Sequence, residues 1–185
     1  SMEGYEADDL IGTLADGCDR RGDECVIVTG DKDDLQLVSD HVCVKLTVTR
    51  GGVSSSTRYT PQVVQETYGF EPRRIVDLKA LMGDSSDNIP GVAGIGEKGA
   101  LKLIADFGSL DEVYAALDTT DKVSEKQKEK LLLSKEDAFL SQSLARIGIH
   151  APCGVTLEDT RRAEPDKAAL YDLFTKLEFN VFLKR

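Results

Sequence analysis

The chain has 185 residues, 41% of them hydrophobic, enough for a single core or a main core with a smaller companion. Its 33 acidic residues against 23 basic leave a net charge of −10, which argues against binding nucleic acid by broad phosphate neutralisation unless bound cations reverse the field locally. No apolar run is long enough to span a bilayer and no signal-peptide pattern opens the chain, so a soluble, cytoplasmic protein is expected.

Between Glu6 and Arg21 the apolar positions Leu10, Ile11, Leu14 and Cys18 recur at helical spacing, which predicts an amphipathic helix stopped by Gly22. Glu6, Asp8 and Asp9 crowd its first turn. The helix dipole favours a carboxylate there, but a cap needs one acid, not three. Cys25 to Val28 is a short continuous apolar run, the pattern of a strand buried on both faces. Asp31 and Asp33 follow directly, at the carboxyl end where the ligand crevice of an open α/β sheet lies. A calcium hand is rejected, since Gln36 stands where its loop needs Gly. Four cysteines, Cys18, Cys25, Cys43 and Cys153, form no C-x-x-C pair and read as buried thiols rather than a zinc site.

His41 to Thr49 and Val53 to Tyr59 are β-rich runs around Arg50-Gly51-Gly52, a hairpin signal. Thr60-Pro61 opens a helix that Gly69 ends, and a second helix is expected from about Pro72 to Met82. Gly83 to Ala100 is the stretch richest in chemistry. Asp84 and Asp87 have the spacing of two carboxylates on one helical turn, where they repel unless a cation sits between them. Gly91, Gly94, Gly96 and Gly99 form a tight turn opening onto Lys98, with bare amides able to face an anion. Gly94 to Gly99 matches the dinucleotide fingerprint in letters only, because Asn88-Ile89-Pro90 rather than a buried strand precedes it. Walker A spacing fails too, with Glu97 where the phosphate-binding Lys must be.

Beyond Gly91 the chain reads as helical to Gly148, with capping boxes at Ser109-Leu-Asp-Glu112 and Ser124-Glu-Lys-Gln127. The five lysines from Lys122 to Lys135 are interleaved with Glu125, Glu129 and Glu136, which favours a solvated helix face over a phosphate-binding one. Ile147 to His150 is expected as a short strand and Pro165 to Leu177 as a final amphipathic helix.

Three stretches taken together, Gly4-Tyr5-Glu6-Ala7-Asp8-Asp9, Thr29-Gly30-Asp31-Lys32-Asp33-Asp34-Leu35-Gln36-Leu37 and Gly83 to Ala100, resemble in order and spacing the 5′ nuclease (flap endonuclease) family. The likeness is closest to the 5′-to-3′ exonuclease domains that accompany bacterial DNA polymerases. It implies an α/β fold: a partial parallel-sheet nuclease core over residues 3–70, then a helical DNA-binding region over 71–185 containing a helix-hairpin-helix, with its glycine hairpin at 91–99. By that resemblance Glu6, Asp8, Asp9, Asp31, Asp33, Asp84 and Asp87 are the metal-binding acids, serving two Mg²⁺ or Mn²⁺ ions, and Asp8, Asp9, Asp31 and Asp33 are catalytic. Gly91, Gly94, Ile95, Gly96 and Lys98 would hold double-stranded and 5′-flap DNA by its backbone, without base reading, and K⁺ is implied on the hairpin carbonyls. In the family another stretch precedes the position of Gly4, so the chain is expected to be the C-terminal part of a nuclease domain, weak on its own and fused to a polymerase in the full protein. The competing reading is a non-catalytic hairpin module that binds DNA, against which the seven gathered acids weigh.

Overall fold

In the computed structural model, which describes residues 2–159 and 163–184, the first periodicity folds as helix α1 (Ala7–Arg21), closed by Gly22 in the left-handed region. Strand β1 (Cys25–Thr29) follows and leads through a 3₁₀ turn at Asp33–Leu37 to the hairpin of β2 (Val42–Arg50) and β3 (Val53–Tyr59). The sheet order is β1-β2-β3. β1 runs parallel to β2, with Ile27 beside Val44, while β3 returns antiparallel. Thus the single apolar strand finds its parallel partner in the hairpin's own first strand. Two-face burial does not hold for β1, however. Only Ile27 is buried, while Val26 and Val28 are 50% and 68% exposed, because β1 is an edge strand with one face uncovered.

Thr60 caps α2 (Pro61–Tyr68) by accepting from the Val63 amide, and Gly69 closes it. A 3₁₀ turn at Pro72–Arg74 then feeds α3 (Ile75–Met82), six of whose eight residues are buried. Four helices follow: α4 (Glu97–Phe107), α5 (Leu110–Ala116), α6 (Glu125–Leu133) and α7 (Lys135–Ala145). Both expected capping boxes start helices, Ser109 accepting from the Glu112 amide and Ser124 from that of Gln127. One apolar cluster joins Leu35 and Val44 at the sheet to Val64, Leu81, Ile104, Leu110 and Leu131, so the core runs across residue 70. Each wholly buried leucine there contributes about 2 kcal/mol of burial energy. Against α3, helix α7 places Gln142, whose amide donates to buried Asp77 at 2.5 Å.

Ile147 to His150 forms no strand. Its amides are taken by side chains instead: Ile147 donates to Gln36 Oε1 at 3.0 Å and Gly148 to Asp9 Oδ1 at 2.7 Å. A second unit begins after Cys153. It contains α8 (Lys167–Lys176), capped by Asp166, and a cluster of Phe174, Phe179 and Phe182. No helix among the described residues is long and apolar enough to cross a membrane.

Candidate metal centre and hairpin groove

Asp84 and Asp87 come together by a different route from the expected helical turn. Helix α3 ends at Met82, and the chain then folds back so that the Asp84 and Ile89 backbones exchange two hydrogen bonds, of 2.9 and 2.8 Å. The six-residue loop so closed carries both acids. Its base is a crossing of Gly83 and Gly91, where a Cβ on Gly91 would overlap the Gly83 backbone and φ is +62°. Gly91 is therefore fixed by packing, and its buried amide donates to Ser141 of α7 at 2.9 Å. That amide is therefore not bare at the surface, as the sequence had suggested for this turn.

From the end of β1, Asp31 accepts the Asp33 amide at 2.9 Å, an Asx turn that aims Asp33 at the same loop. One oxygen from each of Asp33, Asp84 and Asp87 then lies within 4.8 Å of the others. Glu6, Asp8, Asp9 and Asp31 border the same cleft, about 560 Å³ in volume. All seven sequence-chosen acids thus converge, but with unequal freedom. Asp9 is committed to structure, accepting from the Gly148 amide and, at 3.2 Å, from that of Glu6, which it joins in a capping box. Glu6 and Asp9 thus also form the capping box of α1, and both still border the cleft with Asp8.

The charges of this cleft are held at a cost. Burial, and then the charges of Asp34, Asp31, Glu6 and Asp33, push the Asp8 carboxyl up to about 6. Burial likewise raises Asp33, outweighing its lysine partner. That partner, Lys79 of α3, has its ammonium 2.7 Å from Asp33 and in contact with Asp84. With a hydrogen bond from Lys79 first and from Ser86 second, Asp84 is held down at about 2. Burial alone would lower Lys79, yet the two carboxylates hold it above its ordinary value.

Lys79 and Arg146 are the residues that sequence reading missed. A lysine inside a helix that buries six of eight residues was a usable signal, since such a charge must meet a partner. Arg146 lines the same cleft, in a segment that Gln36 pins by bonding both the Ala145 carbonyl and the Ile147 amide, at 3.0 Å each. Nothing local in the sequence announces that pairing.

The hairpin from Gly91 to Gly99 does join α3 to α4, and the α4 terminus at Gly96 has no side-chain cap. Gly96 has φ −93°, so its glycine is not demanded by backbone strain, and a Cβ there would meet open space. Ile95 is buried in the core, leaving only its backbone at the surface, while Lys98 is exposed. Across the hairpin stands α6, forming a groove of about 330 Å³ with Gly94, Gly96 and Gly99 on one wall and Ser124, Lys126 and Lys130 on the other. The Lys130 ammonium donates to the Gly94 carbonyl at 2.9 Å.

Two family profiles match the chain: "5'-3' exonuclease, N-terminal resolvase-like domain" over residues 1–69 and "5'-3' exonuclease, C-terminal SAM fold" over residues 70–168. The whole chain is 46% identical to DNA polymerase I of Bacillus caldotenax, and 97% of it is 46% identical to the thermostable DNA polymerase I of Thermus filiformis; it spans 20% of either polymerase. Among solved structures it is similar to T5 5′-exonuclease with divalent metal ions (zinc) bound, at TM-score 0.65 and 28% identity, covering 78% of this chain and 51% of that one. It is likewise similar to the bacteriophage T5 flap endonuclease in a complex with DNA and metal ions, at TM-score 0.63 and 27% identity, covering 78% and 50%. The chain belongs to the 5′-3′ exonuclease family and is similar along its whole length to a segment of bacterial DNA polymerase I.

Proposed function

We propose that the chain carries the metal-holding acids of a structure-specific 5′-to-3′ exonuclease and flap endonuclease, acting on DNA phosphodiesters and working at the nucleoid as part of a DNA polymerase I. The observation behind this reading is the convergence of Asp33, Asp84 and Asp87 from two separate loops to within 4.8 Å. All-oxygen donors suit hard cations, which favours Mg²⁺ or Mn²⁺. The Lys79 ammonium between Asp33 and Asp84 supports it too, because it occupies a place where the fold demands positive charge.

Asp33, Asp84 and Asp87 would hold one cation, and Asp8 with Asp31 a second, Glu6 standing at the rim. Bound there, such ions supply an activated water and charge stabilisation for the departing oxygen. The chain's own groups prepare the site. Asp31 fixes the turn that aims Asp33, Ser86 donates its amide to Asp84 at 2.8 Å, and Asp9 ties α1 to the Gly148 backbone. Arg146 brings a cation to the lining of the same cleft, where it would meet a DNA phosphate. The duplex would be gripped by its backbone at the hairpin, without base reading. K⁺ on the hairpin carbonyls does not fit beside the seated Lys130. Two unit charges about 4 Å apart repel by roughly 4 kcal/mol at an effective dielectric of 20.

The test is single-turnover cleavage of an end-labelled 5′-flap duplex with Mg²⁺ or Mn²⁺, for the full-length polypeptide that contains this chain. Asp33→Asn and Asp84→Asn should each slow cleavage by on the order of a hundredfold or more, since misplacing the reacting groups by about 1 Å has that effect. Cleavage that survives chelation of the metal, or that both variants leave unchanged, would overturn the reading.

A further inference from the structure

The groove between the hairpin and α6 contains a cation of its own. Lys126 and Lys130 stand four residues apart and so share one face of α6, the face that meets the hairpin, whereas Glu125 and Glu129 do not line the groove. The interleaved acids that suggested a solvated face therefore leave this side basic. Lys130 reaches across to the carbonyl of Gly94, whose φ of +76° few side chains adopt, and a Cβ there would stand 2.5 Å from the ammonium nitrogen and make it shift. An ammonium carries three N–H donors. One is used on Gly94, which anchors the charge beside the uncapped α4 terminus and leaves the others for an anion.

We propose that Lys130 is the built-in cation of the hairpin, seated on the Gly94 carbonyl in place of a monovalent metal ion and forming, with Lys126 and the Gly96 turn, one groove for a phosphate of the DNA backbone. The proposal rests on the DNA-binding reading above and assigns α6 to it. A carbonyl holds either the ammonium or a metal ion, because two like charges at contact distance repel. Lys130 is part of the chain, so its charge is present at every salt composition.

The experiment is duplex binding by fluorescence anisotropy, with the full-length protein and a chelator of divalent ions present, in potassium chloride and in tetramethylammonium chloride of equal ionic strength. Tetramethylammonium is too bulky to sit on a carbonyl. The parent should bind within about twofold in the two salts, and Lys130→Met should weaken binding about tenfold in tetramethylammonium and lower the salt slope by about 1. Potassium should restore part of that loss, because the vacated carbonyl can now take it. Lys126→Gln, which keeps the Gly94 contact, should lower the slope without any recovery in potassium. Lys130→Gln carries the same expectation as Lys130→Met should the latter fail to fold. A parent that loses affinity when potassium is replaced, or a folded Lys130 variant that binds like the parent in both salts, overturns the proposal. A parent that binds no duplex in either salt overturns the hairpin's DNA-binding role and this proposal with it, whereas unchanged binding by the variant alone leaves that role standing.

Discussion

Lys79 holds Asp33 and Asp84 together against their repulsion, the part that a bound cation would otherwise play there. Its side chain is 12% exposed, so removing the charge strands a half-buried carboxylate. Lys79→Met should cost about 3 kcal/mol of stability without metal, in the range for breaking a buried pair. It should also bind Mg²⁺ more tightly, since nothing competes for the two acids, and gain at least about 1 kcal/mol more from saturating Mg²⁺ than the parent does. Urea midpoints with and without Mg²⁺ measure both effects. An equal or smaller gain in the variant would show that lysine and metal do not share the site. At this scale the acids were legible because carboxylates gathered beside a strand end and a glycine turn have few structural uses. The bond that Asp9 accepts from the Gly148 amide was not legible, because only the folded chain brings the two near.

The glycine turn separates two uses of glycine that look alike in sequence. At Gly91 a side chain would collide with the Gly83 backbone and strain a φ of +62°; at Gly96 it would enter open space at an ordinary φ. Gly91→Ala should therefore cost about 3 kcal/mol, from strain and overlap together, and Gly96→Ala at most about 1 kcal/mol. Thermal or denaturant midpoints decide it, and similar costs at both positions would contradict the crossing. Between α5 and α6, Tyr114 donates its hydroxyl to the Leu131 carbonyl at 2.9 Å, and burial pushes its pKa up to about 12 from 10.0. Below pH 10 the phenol is neutral in both folded and unfolded chains. From there to about pH 12 only the unfolded chain loses the proton, so stability falls as pH rises. Tyr114→Phe should cost about 1 kcal/mol near neutrality yet flatten that alkaline loss; parallel pH profiles of Tm for parent and variant would refute it. The helices themselves were legible from their ends, as Thr60, Ser109 and Ser124 all cap as expected. The loop of Asp84 and Asp87 was not, since their spacing suits a helical turn as well as the reciprocal bonds of Asp84 and Ile89. The burial of β1 was misread because an apolar run does not reveal whether both faces are covered.

The whole chain carries a charge of −10, but it is distributed as an acidic cleft and a basic groove that a polyanion would meet differently. The order of elements, sheet first and helices after, was legible from period and caps; the pairing of α6 with the hairpin was not, because no local pattern records which face of a charged helix meets a distant turn. The two fields should be coupled through bound DNA. Without a metal ion the acidic cleft should repel a DNA backbone brought to the hairpin, and a hard divalent cation on Asp33, Asp84 and Asp87 would reverse that repulsion. Ca²⁺, which also takes oxygen ligands, should therefore raise duplex affinity by about tenfold at low ionic strength, an ordinary coupling of about 1.4 kcal/mol. By linkage the duplex should raise Ca²⁺ affinity by the same factor. Asp84→Asn combined with Asp87→Asn should bind duplex better than the parent without metal and gain at most about twofold from Ca²⁺, since the cleft has lost both its repulsion and its ligands. The effect should fade as salt shortens the screening length from about 30 Å at 0.01 M to about 8 Å at 0.15 M. Anisotropy titrations of parent and double variant, at fixed ionic strength with and without Ca²⁺, measure all of these. Equal gains in both proteins would mean that Ca²⁺ acts on the DNA rather than through the cleft, and that the acids do not sense the duplex.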